Sequence, residues 1–264
     1  MWRVWLLGLI QGLTEFLPVS SSGHLVVMKY WFGVASPGAT LEIVLHIGTL
    51  SAILLAYRRD LTVWLKGLLQ GRPEAYRLLL WVLVATVPAG FLGYTFEDMV
   101  GQYFLPSVVV FGWIVTSILL WLTPPAGESS FRTMLDLAWW EVLAIGCMQA
   151  LALMPGLSRS GSTIFMGRTL RLKPEEAARF SFYMAIPVIT GAFLLSWLHH
   201  PAQLWETPGA LAAMIISAIA GLFAIKWVKN TLGHRGAWRK FGFYTCAMAL
   251  LTWWLFFSSV STPS

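Results

Sequence analysis

The stretch Gln11 to Gly23, QGLTEFLPVSSSG, returns without a gap at Gln149 to Gly161, QALALMPGLSRSG. Adding 138 to each number aligns Gln11 with Gln149, Leu13 with Leu151, Ser20 with Ser158, Ser22 with Ser160 and Gly23 with Gly161. The chain therefore reads as two related halves, about 1–128 and 129–264. In each copy a short apolar run breaks at Pro or Gly and opens into a hydroxyl-rich loop. Interrupted apolar segments at matching places in two halves point to a site at the middle of a bilayer.

The rest of the composition fits that setting. Hydrophobic residues make up 57% and charged residues 11%, against about 25% charge in soluble domains, and the mean hydropathy is +0.69. The 264 residues suit one all-α polytopic membrane domain with no separate soluble module. The 15 tryptophans suit membrane interfaces, where indole has one wet and one apolar edge. The net charge of +6 sits mainly in short loops, so it is a topology signal and argues against nucleic acid as a partner. Cys147 and Cys246 lie in apolar segments without a metal-binding or redox spacing and read as packing residues. The N-terminus lacks a small-residue cleavage site before Gln11 and reads as mature sequence.

A spanning helix needs about 20 apolar residues. Six segments approach that: roughly 41–57, 78–96, 105–123, 180–198, 209–228 and 241–258. Two further pairs, Met1–Leu17 with His24–Phe32 and Leu137–Met154 with Thr163–Leu170, read as re-entrant helix-loop-helix units. Bare backbone at membrane depth is tolerated only under cover of protein or a water-filled cavity, so the two breaks should face each other inside the bundle. Cationic loops stay cytoplasmic. That rule places the 58–77 loop (Arg58, Arg59, Lys66, Arg72, Arg77) and the 226–240 loop (Lys226, Lys229, Arg235, Arg239, Lys240) inside. Connections with Glu97 and Asp98, or with His199, His200 and Glu206, go outside. The second pair then enters from the cytoplasm, with Arg168, Arg171, Lys173 and Arg179 at its exit, and the first from outside. The halves are expected to be inverted repeats. The 124–136 loop, with Glu128, Arg132 and Asp136, carries too mixed a charge to add to the assignment.

The first break offers Glu15, Ser20, Ser21, Ser22 and His24; the second offers Ser158, Arg159, Ser160, Gly161, Ser162 and Thr163. Ionisable groups at membrane depth are costly and mark function. Arg159 is a fixed cation whose planar fork suits phosphate oxygens, and helix starts near His24 and Thr163 would present N–H groups to an anion. Glu15 and His24 are acid–base candidates, and a serine beside them is a candidate nucleophile. The set reads as phosphoryl transfer. The plainer readings are a structural Glu15–Arg159 bridge and serines that only cap helices. Gln11 lies four residues before Glu15, on the same helix face. Glu42 and His46 read as supporting or interhelical hydrogen-bond groups, and Arg58 and Arg59 receive no catalytic role.

The segments GLTEFLPVSSSGH, preceded by Gln11, and PGLSRSGST at Pro155 to Thr163 resemble the two signatures of the bacterial undecaprenyl-diphosphate phosphatase, or bacitracin-resistance, family. Hydropathy and the repeat extend that resemblance over essentially the whole chain. It implies an enzyme of the bacterial cytoplasmic (inner) membrane, with its site opening to the periplasmic face, that converts undecaprenyl diphosphate to undecaprenyl phosphate and inorganic phosphate. It implies catalytic roles for Glu15, Ser21, His24 and Arg159, and substrate contacts from Gln11, Ser20, Ser22, Ser158, Ser160, Gly161 and Thr163. Ser21 and His24 both stand as nucleophile candidates. Many members carry Glu where this chain has Gln11, which shifts acid–base work to Glu15 and His24. No dedicated cofactor is expected; the divalent cation often associated with the family, Mg or Ca, would bind with the diphosphate. The alternative is a lipid-phosphate flippase using the same midplane site. The phosphatidic-acid phosphatase superfamily is disfavoured, because no His follows Arg159 at the required place.

Overall fold

A computed structural model describes residues 1–34, 40–95, 104–125, 132–199, 201, 203–231 and 236–257. Glu97, Asp98, Glu128, His200 and Arg235, used above for topology, lie outside the described residues. Eleven α-helices follow in order among those described: α1 (Trp2–Thr14), α2 (Ser21–Phe32), α3 (Thr40–Ala56), α4 (Arg58–Leu69), α5 (Pro73–Thr95), α6 (Pro106–Leu122), α7 (Trp139–Leu151), α8 (Arg159–Thr169), α9 (Pro174–His199), α10 (Ala210–Thr231) and α11 (Ala237–Phe257). The only β pairing among these residues is an isolated bridge between Arg132 and Leu172. The protein is an all-helical polytopic membrane protein.

By length and composition α5, α9 and α10 can each cross a membrane, and α3 with α4 makes a fourth candidate, bent by 75°. Helices also occupy the other expected segments, but α3 and α6 are only 17 residues long. The 58–77 stretch, expected to be a loop, instead contains α4. Tyr57 breaks the helix direction, and α4 exposes Val63, Leu65 and Leu69 alongside Arg58 and Arg59. Apolar side chains beside cations suit a helix lying along an interface.

The two pairs expected to be re-entrant are present as short helices on either side of a break, with one correction. α2 starts at Ser21 and α8 at Arg159, ahead of the expected His24 and Thr163. Serine caps explain both early starts. Ser20 accepts from the Gly23 N–H at 3.3 Å, and Ser158 accepts from the Gly161 N–H at 3.1 Å. Most of the hydroxyls placed in loops by sequence therefore sit in the first turns of helices.

Small residues set the closest packing. A Cβ on Gly8 would collide with the Ala213 backbone of α10, and one on Gly146 would lie 2.6 Å from the Ala85 carbonyl of α5. Close backbone approach at small residues is how helices associate where no water drives them together. The largest apolar cluster runs from Phe16 and Leu17 in the first break to Phe180, Phe182 and Tyr183 on α9. Phe16 meets Phe182 edge to face, with ring centroids 5.4 Å apart, which ties the break to a long helix.

Two side chains differ from expectation. Cys147 is exposed on α7 and does not pack in the interior. Arg168, expected at the cytoplasmic exit of the second pair, is buried at 2% exposure. It donates to the carbonyls of Leu172 and Pro125 at 2.7 and 2.6 Å, so it ties the end of α8 both to the residues that follow it and to the segment after α6.

Candidate active site

The two breaks meet. Ser160 donates to the Leu17 carbonyl at 2.9 Å, and Trp113 of α6 donates to the Val19 carbonyl at 2.9 Å. Thr116, one turn on, donates to the Gly156 carbonyl and accepts from the Ser158 N–H, at 2.9 and 3.0 Å. Three carbonyls and one N–H at the interruptions are thus satisfied by side chains, as burial away from water requires.

Glu15 lies at the junction, 7% exposed. Arg159, from the other half, places Nη2 2.5 Å from Glu15 Oε1 and donates from Nη1 to the Ser181 carbonyl at 3.0 Å. Glu15 Oε2 accepts from Ser21 Oγ at 2.6 Å and from Gln11 Nε2 at 3.0 Å. His46 Nε2 of α3 stands 3.3 Å from the same oxygen. A short O–H···O⁻ contact such as Ser21 to Glu15 is the strong, charge-assisted kind, and it aims the serine proton at a base.

His24 does not share that contact. Its Nδ1 is 2.7 Å from the Ser20 carbonyl, and its Nε2 is 2.8 Å from the Tyr244 hydroxyl of α11. A carbonyl only accepts, so Nδ1 carries a proton, and a neutral ring then accepts the Tyr244 O–H at Nε2. The ring stacks on Tyr244 at 7° and meets Trp113 edge-on, with centroids 5.8 and 5.1 Å away.

The remaining predicted residues cluster around these groups. Ser20 and Ser22 are 3.2 Å apart through their hydroxyls, and Ser158 and Ser160 are 3.3 Å apart. Thr163 donates to Ser181 Oγ at 2.7 Å. Gly161 packs beside Pro18, and Gly23 beside Gly156. The N–H groups expected to receive an anion at Gly23 and Gly161 are occupied by the serine caps; the first-turn N–H groups ahead of them lack intrahelical partners. Ser181 and Tyr244 give no signal in the sequence, each being one of several scattered polar side chains on a long helix outside any motif. The sequence points to His46 only through its spacing from Glu42, and the structure adds its contact with Glu15. The Glu42 carboxylate itself pairs with Lys29 at 2.6 Å.

Residues 4–251 match the family described as Bacitracin resistance protein BacA. The chain belongs to this family. It is 39% identical to an undecaprenyl-diphosphatase of Rubrobacter xylanophilus over 93% of this chain and 94% of that protein. It is 38% identical to one of Myxococcus xanthus over 87% of this chain and 80% of that protein. With one of Moorella thermoacetica the identity is 36%, over 93% and 94%. The family match spans both breaks.

Proposed function

We propose that this protein is an undecaprenyl-diphosphatase, a membrane enzyme that hydrolyses the terminal phosphate of undecaprenyl diphosphate and returns the lipid carrier as undecaprenyl phosphate. The observation that carries this reading is the Ser21–Glu15–Arg159 chain of contacts, at 2.6 and 2.5 Å, in a family member whose relatives bear that enzyme's name.

Ser21 is the nucleophile. Its Oγ attacks the terminal phosphorus as its proton passes to Glu15 Oε2; the bond from that phosphorus to the bridging oxygen breaks, and undecaprenyl phosphate leaves. Water then cleaves the phosphoserine, restoring Ser21 and releasing inorganic phosphate. Arg159 leaves Glu15 to hold the transferring group, and its fork stabilises charge on the equatorial oxygens. His24 does not attack, since both of its ring nitrogens are engaged; it exchanges protons with the leaving oxygen or water through the Tyr244 hydroxyl. Ser20, Ser22, Ser158, Ser160, Thr163 and Gln11 complete the polar wall, and Gly161 lets the second helix start close to it. Positioning and charge stabilisation dominate, as in other phosphoryl transfers.

A resident metal does not fit the donor set. Among the described residues no group of three or more His, Cys, Asp or Glu side chains could hold an ion, and both Glu15 oxygens are taken by donors. A divalent cation, Mg or Ca, would be held by the diphosphate itself and would neutralise part of its charge.

The architecture we propose is an inverted repeat of six spans and two re-entrant pairs. It is supported by the matching serine caps at Ser20 and Ser158, by the close contacts at Gly8 and Gly146, and by the reciprocal pairs Pro18–Gly161 and Gly23–Gly156. The enzyme lies in the bacterial inner membrane, its site opening to the periplasmic face and the prenyl chain lying between helices.

The test is phosphate release from undecaprenyl diphosphate by purified protein in detergent, comparing wild type with Ser21→Ala and Arg159→Ala. Release that both substitutions abolish in folded protein supports the reading. Equal release from all three removes these residues from the mechanism, and no release by folded wild type overturns the function.

A further inference from the structure

His46 faces two acceptors. Its Nδ1 is 2.6 Å from the Glu42 carbonyl oxygen, and its Nε2 is 3.3 Å from Glu15 Oε2. A carbonyl oxygen cannot donate, so Nδ1 carries a proton. Glu15 already accepts from Arg159, Ser21 and Gln11, a donor set that belongs to an ionised carboxylate and leaves it no proton to offer Nε2. His46 must then carry a second proton. His24 contrasts with it: its second nitrogen meets a hydroxyl, which can donate.

The charges around Glu15 give this a purpose. Glu15 is the one carboxylate in the breaks, and Gln11 beside it is neutral. With Arg159 and an imidazolium at His46 the trio has a net charge of +1 before substrate arrives, counted from one Glu and two cations. The neighbouring Glu42 side chain is balanced by Lys29. If Arg159 were the only counter-ion, its transfer to a diphosphate would leave Glu15 as a buried, unpaired anion facing another anion, which is strongly unfavourable.

We propose that His46 is a positioning residue, the counter-ion that stays with Glu15 while Arg159 exchanges the carboxylate for the diphosphate. The inference rests on the phosphatase reading. His46 anchors Glu15 Oε2 toward Ser21 from a helix that belongs to neither break, and it lets one guanidinium serve both the resting and the loaded site. No bond to His46 forms or breaks.

The test combines nitrogen NMR of histidine-labelled protein with kinetics. At neutral pH wild type should show a doubly protonated imidazole signal that disappears in His46→Gln, which keeps a donor but no charge. In Glu15→Gln the same signal should change to the neutral form. His46→Gln should lower kcat about 10- to 100-fold, the range for a hydrogen bond to a charged group, with KM changed less than about threefold if it removes only the transition-state term. A neutral His46 signal in active wild type, or undiminished kcat in folded His46→Gln, overturns this inference alone. Should folded wild type release no phosphate, the phosphatase reading falls instead, and the nitrogen spectrum still decides the ion pair. Where His46→Gln fails to fold, the Glu15→Gln spectrum decides: a His46 signal unchanged from wild type overturns the inference.

Discussion

Arg159 and Glu15, 144 residues apart, share a 2.5 Å contact that joins the two repeated breaks. Each is the other's partner in the resting structure, so the proposed phosphate-binding group and the proposed base are poised by one bond. Removing Glu15 takes the carboxylate from Arg159, whereas removing Arg159 leaves Glu15 with His46 alone.

Ser21→Ala should therefore lose at least about 10³-fold in kcat while retaining fold, because the nucleophile is absent and only binding and charge stabilisation remain. Glu15→Gln should lose about 10²–10⁴-fold, the range for a general base. Phosphate release in detergent, with size-exclusion profiles as the folding control, checks both. Ser21→Ala activity within tenfold of wild type would point away from a serine nucleophile.

Tyr244→Phe keeps the stack on His24 and deletes the hydroxyl 2.8 Å from Nε2. One hydrogen bond is worth about 0.5–1.5 kcal/mol, so kcat/KM should change by roughly two- to tenfold, and the pH–rate profile should move with it if His24 exchanges protons in the reaction. An unchanged rate and profile would place Tyr244 outside the mechanism.

Gly156→Ala should impair folding more than chemistry. Gly156 has φ +89 and its missing Cβ would collide with the Val109 carbonyl, so the variant meets both backbone strain, of order 1–3 kcal/mol, and a backbone clash. The expected result is a fall in detergent Tm, with residual activity tracking the folded fraction. A Tm equal to wild type would show that the α6 contact can relax.

Acid should weaken the cap at Thr133. The Thr133 N–H, then its hydroxyl, hold the Asp136 carboxyl below the ordinary carboxylate range, through contacts of 2.7 and 2.8 Å. A depressed folded value means the contribution is present above about pH 3.9, the ordinary Asp value, and is lost as pH falls through the folded one. Asp136 is exposed, so screening keeps the contribution under about 1 kcal/mol. Tm measured from pH 7 down to pH 3 should drop more steeply in wild type than in Asp136→Asn, and parallel curves would remove the cap from the acid response.

Much of the site was legible before any coordinates, because a repeated interruption in an apolar chain is conspicuous. The sequence alone determined that the chain is helical and membrane-embedded, that it has two broken segments, and that Glu15, Ser21, His24 and Arg159 are concentrated there. Local pattern also placed Gln11 on the face of Glu15. Tertiary structure alone decided which of those groups touch: Ser21 turns to Glu15 and not to His24, Arg159 rests on Glu15, and His46, Tyr244 and Ser181 arrive from α3, α11 and α9. Sequence periodicity records which face of a helix a residue occupies, but partners such as Arg159 and Glu15, 144 residues apart, or His24 and Tyr244, 220 apart, are chosen by how the helices pack. It also missed the early starts of α2 and α8 and the whole of α4. A cap is decided by one serine rotamer, and α4 by the 75° bend that turns it away from α3.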